Sequence, residues 1–138
     1  IIKFMKFIII GLAIIITSFS AVVKADSVGL ICTNQSEETP RLFKVNLATK
    51  SSSFFSYADS AWQDIFYTKV NIDEIMLEDY RNNRIDISRV TLEWKGRTNI
   101  DFEKSSNLHR GSCVTKKLKQ MNDIAKRELD KLNNKRAF

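Results

Sequence analysis

Ile85-Asp86-Ile87-Ser88-Arg89-Val90-Thr91-Leu92-Glu93-Trp94 alternates apolar and polar side chains with a period of two. A helix would repeat its apolar face every three to four residues, so this stretch reads as half-buried strand. Its phase changes midway, because Ile85 and Ile87 lie on one parity while Val90, Leu92 and Trp94 lie on the other. A one-residue shift exchanges inside for outside, so the chain has to turn or bulge at Ser88-Arg89.

The same pattern extends in both directions. Val28, Leu30 and Cys32 alternate with Gly29 and Ile31, and Phe43, Val45 and Leu47 with Lys44 and Asn46. Val70 and Ile72 precede a second phase change at Asp73-Glu74, after which Ile75 and Leu77 resume. Ile100 and Phe102 form a further short pair. Turns are expected at Asn82-Asn83, Lys95-Gly96 and Ser105-Ser106-Asn107, with a connecting loop over residues 34–40. Ser60-Ala61-Trp62-Gln63 fits a capping box, which leaves residues 60–66 open to one or two helical turns. Short alternating runs between polar turns predict a mainly β fold, a small antiparallel barrel or sandwich.

The ends of the chain differ from this body. Residues 1–25 carry Met5-Lys6, an apolar run from Phe7 to Ile16, and Val23-Lys24-Ala25 with small residues placed for cleavage. That order is the grammar of a secretory signal, cleaved after Ala25. A membrane anchor is the alternative, but it would want about 20 apolar residues. The β domain is expected over residues 26–115 and a basic amphipathic helix over 116–138, where Leu118, Met121, Ile124, Ala125, Leu129 and Leu132 recur at threes and fours.

The chain holds two cysteines, Cys32 near the start of the body and Cys113 near its end. In an exported protein such a pair is most simply a disulfide. A metal pair would need further soft ligands, and the sequence offers one histidine, His109. Two residues before Cys113, Gly111 leaves room for a close approach, which predicts that strand 111–114 lies beside strand 28–32. First and last strands would then meet through the disulfide, closing the sheet.

The formal charge of +6 tempts one toward nucleic acid, but its distribution argues otherwise. The leader carries Lys3, Lys6 and Lys24 without an acid, and the tail from Val114 holds eight basic and three acidic residues. The body between them has eleven basic and thirteen acidic residues and is mildly acidic. Any electrostatic role therefore belongs to the tail, whose Lys116, Lys117, Lys119, Lys126 and Arg127 are candidates for contact with an anionic membrane or a partner. No nucleic-acid partner is expected.

Chemistry-bearing motifs are few. The sequence has four glycines, no phosphate-binding loop and no nucleophile elbow. Asp73, Glu74, Glu78 and Asp79 lack the spacing of a calcium loop, so neither a metal nor a cofactor is expected. His109 stands outside any catalytic motif. The densest feature is aromatic, with Phe54, Phe55, Tyr57, Trp62, Phe66 and Tyr67 close together. Such a cluster closes a small core or presents a binding surface, for which Tyr57, Trp62 and Tyr67 are the candidates. Ser51, Ser52 and Ser53 before it suit a flexible or edge segment.

Leu30-Ile31-Cys32-Thr33 in the first strand, Gly111-Ser112-Cys113 in the last, and the run from Ile85 to Leu92 resemble small exported bacterial β-proteins. The layout is also similar to the periplasmic C-type lysozyme inhibitors, small barrels with a terminal disulfide. That resemblance implies a periplasmic or secreted protein and an inhibitor-like function. The Ser-Ala-Ser-Gly-like loop that carries inhibition there has no counterpart here. The function expected from the residues is a non-enzymatic exported binding domain, whose partner is a protein, an envelope component or a small apolar ligand. A small hydrolase using His109 is the remaining alternative.

Overall fold

The computed structural model describes residues 26–64, 66–97 and 109–135. The leader over residues 1–25, the pair Ile100 and Phe102, and the turn at Ser105-Ser106-Asn107 lie outside them. Among the described residues the strands are β1 (Ser27–Thr33), β2 (Arg41–Asn46), β3 (Ser51–Ser56), β4 (Ala61–Gln63), β5 (Tyr67–Val70), β6 (Glu74–Glu78), β7 (Arg84–Ser88), β8 (Glu93–Arg97) and β9 (His109–Lys116). A 3-10 turn, Leu118–Gln120, leads into helix α1 (Met121–Lys135). The strands form one antiparallel sheet in the order β4-β3-β2-β1-β9-β8-β7-β6-β5. It is a curled half-barrel, with the expected C-terminal helix and a Cys32–Cys113 disulfide.

The sheet curls because its two edges are neighbours in the chain. Strands β4 and β5 stand at opposite ends of the order, yet only residues 64–66 separate them. With every neighbouring pair antiparallel, the first and ninth strands of the order run in the same direction. β4 therefore leaves β3 on one edge and β5 joins β6 on the other, the two lying close in the chain where the sheet turns its corner. Side chains hold the seam: Ser52 Oγ and Thr68 Oγ1 share a buried hydrogen bond of 2.7 Å. Beside it, Ser53 Oγ donates to Asp64 Oδ1 at 2.6 Å.

The first and last strands do meet, but in the middle of the sheet rather than by joining its two edges, which are β4 and β5. β1 pairs with β9 so that Cys32 stands opposite Cys113. The Cys113 N–H points the other way, donating to the Leu92 carbonyl at 2.7 Å. The cysteines thus occupy a pair that exchanges no backbone hydrogen bonds across β1 and β9, the kind in which opposed side chains come closest. At Gly111 a Cβ would collide with the Thr33 carbonyl oxygen and the Trp94 indole nitrogen. Its absence lets Trp94 Nε1 donate to that carbonyl at 3.1 Å.

Two apolar clusters lie on opposite faces of the sheet. Leu30, Phe43, Val45, Leu77, Ile87 and Trp94 fill the concave side together with the disulfide. On the convex side, Leu42 and Phe55 pack against Met121 and Ala125 of α1, with Ile31, Trp62 and Leu129 around them. Met121 is fully buried, and a Cβ on Gly29 would overlap its side chain. The amphipathic tail thus docks its apolar stripe on the β1–β4 half of the sheet.

Several local expectations are corrected. Ser60-Ala61-Trp62-Gln63 does not begin a helix. Ser60 closes a hairpin turn at a φ of 52°, and Ala61 to Gln63 pair with β3. The cap-like spacing is overridden because Trp62 gains a cross-strand partner in Phe55, 5.3 Å between ring centroids. Lys95-Gly96 is strand interior rather than a turn, with Gly96 buried against the Trp94 ring. Ile72 and Val90, read as strand residues, are exposed in turns at 84% and 76%. The phase change after Ser88 is real, and Leu92 makes it by adopting a φ of 60° while donating to the Ser88 carbonyl. Ser51, Ser52 and Ser53 belong to β3, and Ser52 is buried.

Candidate ligand site at the mouth of the half-barrel

Strand alternation places the 34–40 loop, the turns at residues 57–60 and 79–83, and the start of β9 at one end of the sheet. A cavity of about 420 Å³ opens there. Its floor is Phe43, Phe54 and Phe66, whose rings meet at centroid distances of 6.0, 6.1 and 5.7 Å. Phe43 is fully buried, whereas Phe54 and Phe66 are half-buried. Ile85 and Gly96 form one wall, Pro40 and Tyr57 another, and Glu37, Arg41, Asp79 and His109 stand around the opening.

The polar groups at the opening are engaged with one another. Arg41 grips Glu37 with two bonds, Nη2 to Oε1 at 2.7 Å and Nε to Oε2 at 3.1 Å. The Arg41 guanidinium also lies over the Trp94 ring, 4.8 Å from its centroid. The hydrogen bond from Arg41 holds the Glu37 carboxyl below the ordinary range, against partial burial, with His109 adding a smaller pull. Asp79 accepts from the backbone N–H groups of Arg81 and Asn83 at 2.8 and 3.0 Å, and from Asn83 Nδ2 at 2.8 Å. The Tyr57 hydroxyl donates to the Pro40 carbonyl at 2.7 Å. Burial, reinforced by the Glu128 carboxylate, pushes that phenol far above its ordinary value, so it stays a donor.

The loop over residues 34–40 is a stiff lip. Asn34 Oδ1 accepts from the N–H groups of Ser36 and Glu37 at 3.0 and 2.7 Å. At its far side Lys135, at the end of α1, pairs with Glu38 at 2.9 Å.

The residues singled out from the sequence do not assemble at one place. Tyr57 and Trp62 flank Phe55 on the convex side, with centroids 5.1 and 5.3 Å from it, and Tyr57 also reaches the mouth. Trp62 is roofed by Lys44, whose Nζ lies 4.2 Å from the ring centroid and donates to Asn122 Oδ1 at 2.8 Å. Burial lowers the Lys44 pKa. Tyr67 stands apart on edge strand β5, 66% exposed. Lys116, Lys117, Lys119, Lys126 and Arg127 are all exposed, while the apolar stripe between them is spent on the sheet. His109 takes a place at the mouth, facing the Glu37–Arg41 pair.

Among the described residues, no group of histidine, cysteine and carboxylate side chains is placed to hold a metal ion. No described helix is long and apolar enough to cross a membrane. Sequence reasoning missed Glu37, Arg41, Phe43 and Phe54 as mouth residues. Glu37 lies on the loop before β2, Arg41 and Phe43 on β2 and Phe54 on β3, and no motif of the sequence marks them as a set. Compared with protein-family models, with curated proteins and with solved structures, the chain matches none.

Proposed function

We propose that this protein is an exported binding domain that takes a small, largely apolar molecule into the mouth of its half-barrel. The observation that carries the reading is the cavity itself. Its volume, about 420 Å³, is within the range of small-molecule sites, and its phenylalanine floor opens to solvent inside a fixed polar rim. Protein interiors normally pack such rings to crystal-like density, so half-buried rings turned into an opening are contact surface awaiting a partner. Export is supported by the Cys32–Cys113 disulfide, which persists in oxidising compartments, and by the signal-like order of residues 1–25. The same two features support a periplasmic or secreted location.

Titration of the purified, disulfide-bonded protein with N-phenylnaphthylamine, a neutral apolar fluorophore, tests this. One probe is expected to bind per chain. Thr39→Trp, which fills the mouth from the lip without touching the core, should weaken binding by about tenfold or more and leave the unfolding midpoint in place. No binding, or equal binding to the variant, contradicts the proposal.

A further inference from the structure

We infer that the ligand of the mouth is uncharged, an apolar body carrying at most a neutral hydroxyl or carbonyl head. The inference rests on the proposed function and adds the chemical class to it. The charged side chains at the opening already have partners. Arg41 gives two bonds to Glu37, and Asp79 is filled by two backbone N–H groups and the Asn83 amide. The Tyr57 hydroxyl is committed to the Pro40 carbonyl. A carboxylate ligand reaching Arg41 would share its guanidinium with Glu37 and set two carboxylates beside one cation. An ammonium ligand reaching Glu37 would set two cations beside one carboxylate. Either ion would press a like charge against a pair that is already balanced and partly buried. A neutral head brings no such charge. His109 at the rim offers an imidazole N–H able to donate to a carbonyl or hydroxyl oxygen.

Decanol, decanoate and decyltrimethylammonium share one chain and differ in the head alone. Each is to be competed against bound N-phenylnaphthylamine at neutral pH, below its micelle-forming concentration. Decanol should displace the probe at a concentration at least about tenfold lower than either ion. Equal or stronger displacement by an ion overturns the inference and leaves the proposed function standing, as does displacement by none of the three while the probe still binds. Failure of the probe itself to bind removes both. Glu37→Gln, which frees Arg41, should raise decanoate affinity by about tenfold, and an unchanged affinity would also overturn the inference.

Discussion

Strands β1–β4 and strands β6–β9 turn the same kind of inner face to the core but opposite kinds of outer face to their surroundings. On β1–β4 the outer residues include Ile31, Leu42, Phe55 and Trp62, and helix α1 lies over them. On β6–β9 they include Glu74, Asp86, Lys95 and Arg110, with Asp86, Lys95 and Arg110 in one cross-strand row. The difference is written in doublets. Leu30-Ile31, Leu42-Phe43 and Phe54-Phe55 place apolar side chains on both faces, as strands covered on both sides require, whereas Ile85-Asp86-Ile87 alternates strictly. One half of the sheet is thus built to receive the tail and the other to face water. The disulfide sits at the joint between the halves, where β1 meets β9.

That joint is where the largest effect is expected. Replacing both Cys32 and Cys113 by alanine opens a crosslink spanning 81 residues and should cost about 4–5 kcal/mol in the chain-entropy picture, read from urea unfolding. A smaller loss would mean that the ladders of the two halves hold the joint without the covalent tie.

The covered and bare faces can be set against each other directly. Met121→Ala removes a fully buried side chain from the covered face and should cost about 2–4 kcal/mol. Lys95→Ala on the bare face should stay within about 0.5 kcal/mol of wild type in the same assay. Equal effects would erase the distinction and imply that α1 rests on the sheet without supporting it.

A small effect is also expected at the lip. Because the folded Glu37 carboxyl titrates below its ordinary range, its contribution is fully present above that range and is lost as pH falls through the depressed value. Wild type should therefore exceed Glu37→Gln in stability at neutral pH by less than about 1 kcal/mol, since the pair is partly exposed. Thermal unfolding of both proteins across acidic pH should show the gap closing below the usual carboxylate range. A gap that widens toward acid would assign Glu37 the wrong partner.

Periodicity carried much of this architecture. Strand phase at Leu30, Val45, Ile75 and Ile87 follows from alternation, and Gly111 and the two cysteines located the β1–β9 contact. Local pattern misled where tertiary pairing outweighed it. Ser60 looked like a helix cap but ends a hairpin that brings Trp62 opposite Phe55. Gly96 looked like a turn residue but makes room for Trp94. The docking of α1 has a signal that alternation alone does not explain, the apolar doublets of β1, β2 and β3. The mouth was not legible, because Glu37, Phe54, Asn83 and His109 come together only when the sheet curls and brings its β4 and β5 edges near each other.

The proposed ligand of the mouth is a neutral apolar molecule. The most direct test is a nuclear magnetic resonance titration of the labelled, oxidised protein with decanol, following each assigned residue. Saturable shifts should gather on Phe43, Phe54, Phe66, Tyr57 and His109, with α1 and the charged face of β6–β9 unmoved. Shifts centred on α1 or on the outer face, or none that saturate, would contradict the account.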